Sequence, residues 1–132
     1  MVRNDIYTNY AGKEYRIFRD RYDKYLLVSN DKSDIVKGFI KEDDEDEIYL
    51  KEIFLSEGLE VYSIDTYGIY KNYKFSLSEH GEQYVLWTSD CEIAEKLGFE
   101  MLGRGDYEKL VPKSDIEHIY EVKEVISDYF SG

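Results

Sequence analysis

The chain of 132 residues has one cysteine, Cys91, and one proline, Pro112. A single thiol closes no intrachain disulfide, so the fold has to stand on its core, and nothing calls for an oxidising compartment. Histidine is nearly as scarce, with only His80 and His118. One Cys and two scattered His give a zinc site too few ligands. There is no G-x-S-x-G, no P-loop, no G-x-G-x-x-G after a strand and no H-E-x-x-H. No apolar run approaches the roughly 20 residues that cross a bilayer. The first ten residues, MVRNDIYTNY, lack the apolar centre of a signal peptide. The expectation is a cytoplasmic protein that is not an enzyme, with no catalytic, metal or cofactor residues and no small-molecule ligand.

Bases are also in short supply. There are 17 against 29 acids, a net charge of -12. Such a field repels phosphate backbones and anionic headgroups, so neither nucleic acid nor membrane is expected as a partner. It attracts basic proteins and speeds encounter with them. Solubility alone explains the same charge. Hydrophobic residues make up 42% of the chain, enough to build a packed core.

What is present in quantity is tyrosine, 14 residues of it, in a pattern that recurs. Tyr7–Phe18 resembles Tyr67–Leu77, and Lys24–Asp31 resembles Gln83–Asp90. Gly38-Phe39 matches Gly98-Phe99, and Tyr49–Ser56 matches Tyr107–Ser114, with the offset staying at about 58–60. Tyr73, Phe75 and Leu77 alternate with polar residues, which reads as a half-buried strand. SEHGEQ is a hairpin loop and YVLWTS the returning strand. Ser89 and Glu92 have capping-box spacing before a short helix, with Gly98 at its end. A second box at Ser114–Glu117 precedes Ile116, Ile119, Tyr120, Ile126 and Tyr129 at helical spacing, while EVKEVISDYF also suits a strand. The expected fold class is α+β and sheet-rich. It comprises two tandem repeats, each βββαβ with a short terminal helix, the content of an SH3-like small barrel or a compact α+β unit. The expected organisation is one compact unit over 1–132, with modules at 5–64 and 65–132.

The acids concentrate in one place, the unbroken run Glu42, Asp43, Asp44, Glu45, Asp46 and Glu47. An EF-hand loop needs spaced ligands and a glycine at its sixth position, and this run has neither. RGD at Arg104–Asp106 fills the corresponding slot of the second half and reads as a turn. The run is a candidate partner-binding surface, together with Tyr49 and Tyr62 beside it, because tyrosine supplies contact area at low entropic cost. The plainer reading is a solvated loop, with tyrosines that bridge core and surface. Cys91 reads as a small packed residue, and a Cys91–His118 nucleophile pair is the third reading left open.

The segment GFEMLGRGDYEKLVPKSDIEHIY, Gly98–Tyr120, carries a Gly-Phe pair, a Gly-x-Tyr-x-Lys-x-Val-Pro stretch and a following S-x-x-E. It resembles immunity proteins of bacterial polymorphic and contact-dependent toxin systems, as do the small size, the acidity and the abundance of tyrosine. The resemblance implies a cognate secreted toxin, often a nuclease with a basic cleft, that is bound tightly and blocked. It assigns no individual residue. The alternative is a tandem adaptor module that binds peptides or proteins in a cytoplasmic assembly.

Overall fold

The structure is a computed structural model that describes residues 2–42 and 47–131. Among the described residues, eleven strands belong to one sheet and there is one α-helix, of seven residues. The expectation of two tandem βββαβ repeats is therefore corrected. Strands dominate, and a further strand follows the helical turn in each half. The segment after Pro112 is extended rather than helical. The chain divides into two compact units, and neither is a continuous stretch: one holds Asp5–Ser63 with Glu124–Gly132, the other Met1–Asn4 with Ile64–Lys123.

The N-terminal unit contains β1 (Asp5–Tyr10), β2 (Lys13–Arg19), β3 (Tyr25–Ser29), β4 (Ile40–Lys41) and β5 (Tyr49–Ile53), and the first residues of β6 (Val61–Tyr70). Neighbouring strands run in the order β4-β5-β3-β2-β1, all antiparallel. Ala11 and Gly12, with φ of 50 and 81, make the tight β1–β2 turn, a conformation that a two-residue hairpin loop favours. Strict alternation in β2 buries Tyr15 and Ile17 and exposes Glu14, Arg16 and Phe18. Those two residues join Leu27, Phe39, Tyr49, Ile53 and Val61 in the core. Burying each large aliphatic among them stabilises by about 1.5–3 kcal/mol. The chain's far end closes this core: Tyr129 and Phe130 pack on Tyr25 at centroid distances of 5.5 and 4.8 Å.

The C-terminal unit contains the rest of β6, β7 (Tyr73–His80), β8 (Gln83–Thr88), α1 (Cys91–Leu97), β9 (Glu100–Gly103), β10 (Asp106–Pro112) and β11 (His118–Val125) up to Lys123. Its order is β6-β7-β8-β10-β9, with β11 on β6. Tyr70, Phe75, Leu77, Leu86 and Val111 form its core. At Gly68 a Cβ would come within 2.8 Å of Leu77 Cδ1 and 3.2 Å of Ile116 Cγ2, so only glycine lets those chains meet there. Helix α1 is capped by Asp90, whose carboxylate accepts from the amides of Glu92 and Ile93, and not by Ser89 as the box spacing suggested. Strand β10 ends at Pro112. Beyond it the Ser114 box forms only a 3-10 turn over Lys113–Asp115, and strand β11 follows. The Glu117 amide is taken by the Ile69 carbonyl at 2.9 Å, which ties that segment to β6 instead of to a helix. EVKEVISDYF ends as strand through Val125 and then a 3-10 turn at Tyr129–Ser131.

Candidate partner-binding site

The acidic run lies in the connection of the β4–β5 hairpin. Ile40 pairs with Leu50 and Lys41 with Tyr49, and the Glu42 amide donates to the Ile48 carbonyl at 2.8 Å. Glu42 and Glu47 are exposed at the two ends of the run. Asp43, Asp44, Glu45 and Asp46 lie outside the described residues. Glu47 is held from several sides. Its carbonyl accepts from Asn30 Nδ2 at 3.0 Å, its carboxylate accepts from the Tyr49 hydroxyl, and Lys41 Nζ is 4.0 Å from Oε1. That carboxylate pushes the Tyr49 hydroxyl pKa up.

Tyr49 and Tyr62 are both 1% exposed. Their rings belong to the interior, and what reaches outward is the hydroxyl: Tyr49 donates to Glu47 and Tyr62 to Glu14. The tyrosines thus act from beneath, as donors that fix carboxylates.

Most bases of this unit have a partner within it. Lys13, Arg16, Arg19, Lys24, Lys37 and Lys41 make ion pairs, and Arg21 and Lys51 lie over the rings of Tyr22 and Tyr10.

A residue the sequence did not single out anchors the connection that leads to the hairpin. Asp34 sits in the 3-10 turn Lys32–Lys37 and is 2% exposed. Tyr15 Oη donates to its Oδ1 at 2.7 Å, and Ser29 Oγ donates to Oδ2 at 2.5 Å. Lys13 Nζ reaches the same Oδ2 at 3.0 Å, and Lys37 Nζ lies 3.6 Å from Oδ1. Burial pushes the Asp34 pKa up, but Ser29, Tyr15 and Lys13 outweigh it and hold the value at about 2. The carboxylate is hydrogen-bonded at both oxygens and ionised, a structural post. One aspartate in a chain of 29 acids gives no signal of this role.

The remaining candidates lie in the C-terminal unit. Cys91 is the first residue of α1 and is exposed, which corrects its reading as a packed residue. His118 begins β11 and stacks on Tyr120 at 5.6 Å. Arg104 and Gly105 make the β9–β10 turn, with Gly105 at φ 84, so RGD is a hairpin tip. Cavities occur in both units. One of about 240 Å³ is lined by Gly98, Glu100, Glu108, Lys109 and Leu110. The other, about 210 Å³ in the N-terminal unit, is lined by Asp23, Lys24, Tyr25, Glu52, Ile53, Phe54 and Leu55. Among the described residues no group of three His, Cys, Asp or Glu is placed to hold a metal, and no helix is long and apolar enough to cross a membrane.

Fold and site together define a small antiparallel sheet protein that carries an acidic hairpin. The chain belongs to the family described as uncharacterised conserved protein UCP033725, whose profile matches residues 2–128. That description names neither toxin nor immunity. Comparison with curated proteins finds no match, and comparison with solved structures finds none either.

Proposed function

We propose that the protein is a cytoplasmic immunity protein that binds and neutralises a basic toxin domain, such as a nuclease, through the acidic hairpin of its N-terminal unit. One observation carries this reading. The ends of the Glu42–Glu47 run are pinned by strand pairing, by Asn30 and by Tyr49. A run of carboxylates held at both ends suits a cleft built for phosphate, and it steers association. The resemblance of Gly98–Tyr120 to immunity proteins supports the same reading.

The test is co-expression with the adjacent reading frame, followed by pull-down and growth rescue. Neutralising Glu42, Asp43, Asp44, Glu45, Asp46 and Glu47 together is expected to slow association and flatten its salt dependence. An unchanged on-rate would reduce the run to a solvated tip. A peptide-binding adaptor is the second reading, and the groove in the N-terminal unit favours it, because Phe54 and Leu55 stand 58% and 64% exposed there. Growth rescue that survives Phe54→Ser with Leu55→Ser separates the two.

A further inference from the structure

The pairing registers of the C-terminal unit line up one row of side chains across five strands. Tyr67 faces Ser76, Ser76 faces Trp87, Trp87 faces Glu108 and Glu108 faces Glu100. Residues directly opposite each other in antiparallel strands share a side of the sheet, so the row lies on one face. Alternation puts Phe75, Leu77, Leu86 and Val111 on the other face, where Ile93 and Leu97 of α1 pack. In the row, Ser76 and Glu100 are exposed, and Tyr67, Trp87 and Glu108 are half-buried.

At one end of this row two carboxylates stand directly opposite each other, an arrangement that costs stability. Among the described residues neither Glu100 nor Glu108 has an ion pair or a side-chain hydrogen bond. Trp87, the one tryptophan of the chain, is the next residue of the row beside Glu108. A cavity of about 240 Å³ borders both carboxylates. Lys109 borders the same cavity but pairs with neither, and its Nζ lies 3.6 Å from where a Cβ on Gly98 would stand. Lys74 Nζ sits 4.1 Å from the Tyr67 centroid, two strands away from Trp87. Arg104 and Asp106 at the hairpin tip bring one charge of each sign. Glu100, Glu108 and Lys109 together therefore leave this corner with a net negative charge.

We propose that this corner of the sheet face docks an arginine side chain of a basic partner protein. A guanidinium is planar and carries its N–H donors along the edge of that plane. Its flat side stacks on the indole of Trp87, and its edge donates to Glu108 and Glu100, which relieves their mutual repulsion. Lysine brings a point charge and cannot do both at once. The proposal rests on the reading that the chain binds a basic protein, and it names the side chain by which that protein is held.

The probes are two labelled synthetic peptides of equal length and charge, one alternating Arg with Ser, the other Lys with Ser. Fluorescence anisotropy at about 0.15 M salt measures their affinities. Emission from Trp87 reports contact at the site itself. Wild type is expected to bind the Arg–Ser peptide at least about tenfold more tightly, and only that peptide should change the emission. Glu100→Gln with Glu108→Gln should abolish both the preference and the emission change. Trp87→Leu keeps every charge and should also lose the preference, read by anisotropy. Glu92→Gln with Glu95→Gln removes the same charge from exposed positions of α1 and should retain both signals. Thermal melts establish that each variant is folded. No preference or no emission change in wild type overturns the proposal. So does a preference that survives in either site variant, or one that is lost in the helix variant. If neither peptide binds, the basic-partner reading falls as well. If both bind alike, only the arginine site falls.

Discussion

Two helical turns of this molecule solve the same local problem with opposite chemistry. In the N-terminal unit the Asp34 carbonyl accepts from the amides of Gly38 and Phe39. In the C-terminal unit the Ala94 carbonyl accepts from the amides of Gly98 and Phe99. Both glycines adopt positive φ, and both phenylalanines pack into or against their unit's core. Yet the side chain at the first position is a carboxylate in one turn and a methyl in the other, 2% and 1% exposed. Around Asp34 stand donors: Tyr15, Ser29, Lys13 and Lys37. Around Ala94 the unit offers Ile93, Leu97 and Phe99. A backbone motif of this kind tolerates a charge in its interior only where the surrounding side chains satisfy it.

The sharpest way to break the comparison is to exchange the two residues. Ala94→Asp places a carboxylate at a buried position that now holds a methyl group, and roughly 4–5 kcal/mol of stability should be lost. Asp34→Ala strips the acceptor from Tyr15 and Ser29 and leaves two lysines without their counterion, and the expected cost is roughly 3 kcal/mol. Urea unfolding monitored at the single Trp87 measures both. Equal, small losses would show that the two environments differ less than their contacts indicate.

Acid sharpens the comparison further. The Asp34 pKa is depressed from 3.8 to about 2, so its contribution is fully present above 3.8 and is lost as pH falls through about 2. Wild type should lose roughly 2 kcal/mol across that window on this account. Asp34→Asn should show a shallower fall, because its amide does not titrate. A pH series of urea midpoints from about 5 to 2 reads the difference directly. Matching slopes would remove Asp34 from the account of acid stability.

The contrast also marks where sequence reasoning reached and where it stopped. Alternation exposed β7, because Phe75 and Leu77 bury every second side chain. It missed β4 and β9, whose residues are all exposed, so no apolar period marks them. The helical spacing of Ile116, Ile119 and Tyr120 fitted a period of 3.6, but strand pairing to β6 decided that segment. Tandem division failed at the chain ends. Val2–Asn4 bond to Glu79, Thr66 and Leu77, and Ile126 donates to Val61, contacts far apart in sequence that no local pattern announces. At the candidate site, the run of acids was plain to see. The buried tyrosines that hold carboxylates were not, since a tyrosine beside an acid looks the same whether its ring faces in or out.

The tyrosines themselves give the smallest and most selective test. In the N-terminal unit Tyr15, Tyr49 and Tyr62 donate their hydroxyls to Asp34, Glu47 and Glu14. In the C-terminal unit Tyr67, Tyr70 and Tyr84 carry lysines over their rings, Lys74 as close as 4.1 Å to the Tyr67 centroid. Removing the hydroxyl should therefore matter more at Tyr49 than at Tyr67. Tyr49→Phe preserves the buried ring and every charge, and takes away only the donor to Glu47. It is expected to lower Tm by a few degrees and to speed hydrogen exchange at the Glu42 amide, which closes the hairpin onto Ile48. Tyr67→Phe preserves the ring beneath Lys74 and should leave Tm within about one degree of wild type. Were the two substitutions to act alike, the hydroxyl at Tyr49 would be no more than a solvated group. The acidic hairpin would then owe its placement to strand pairing alone.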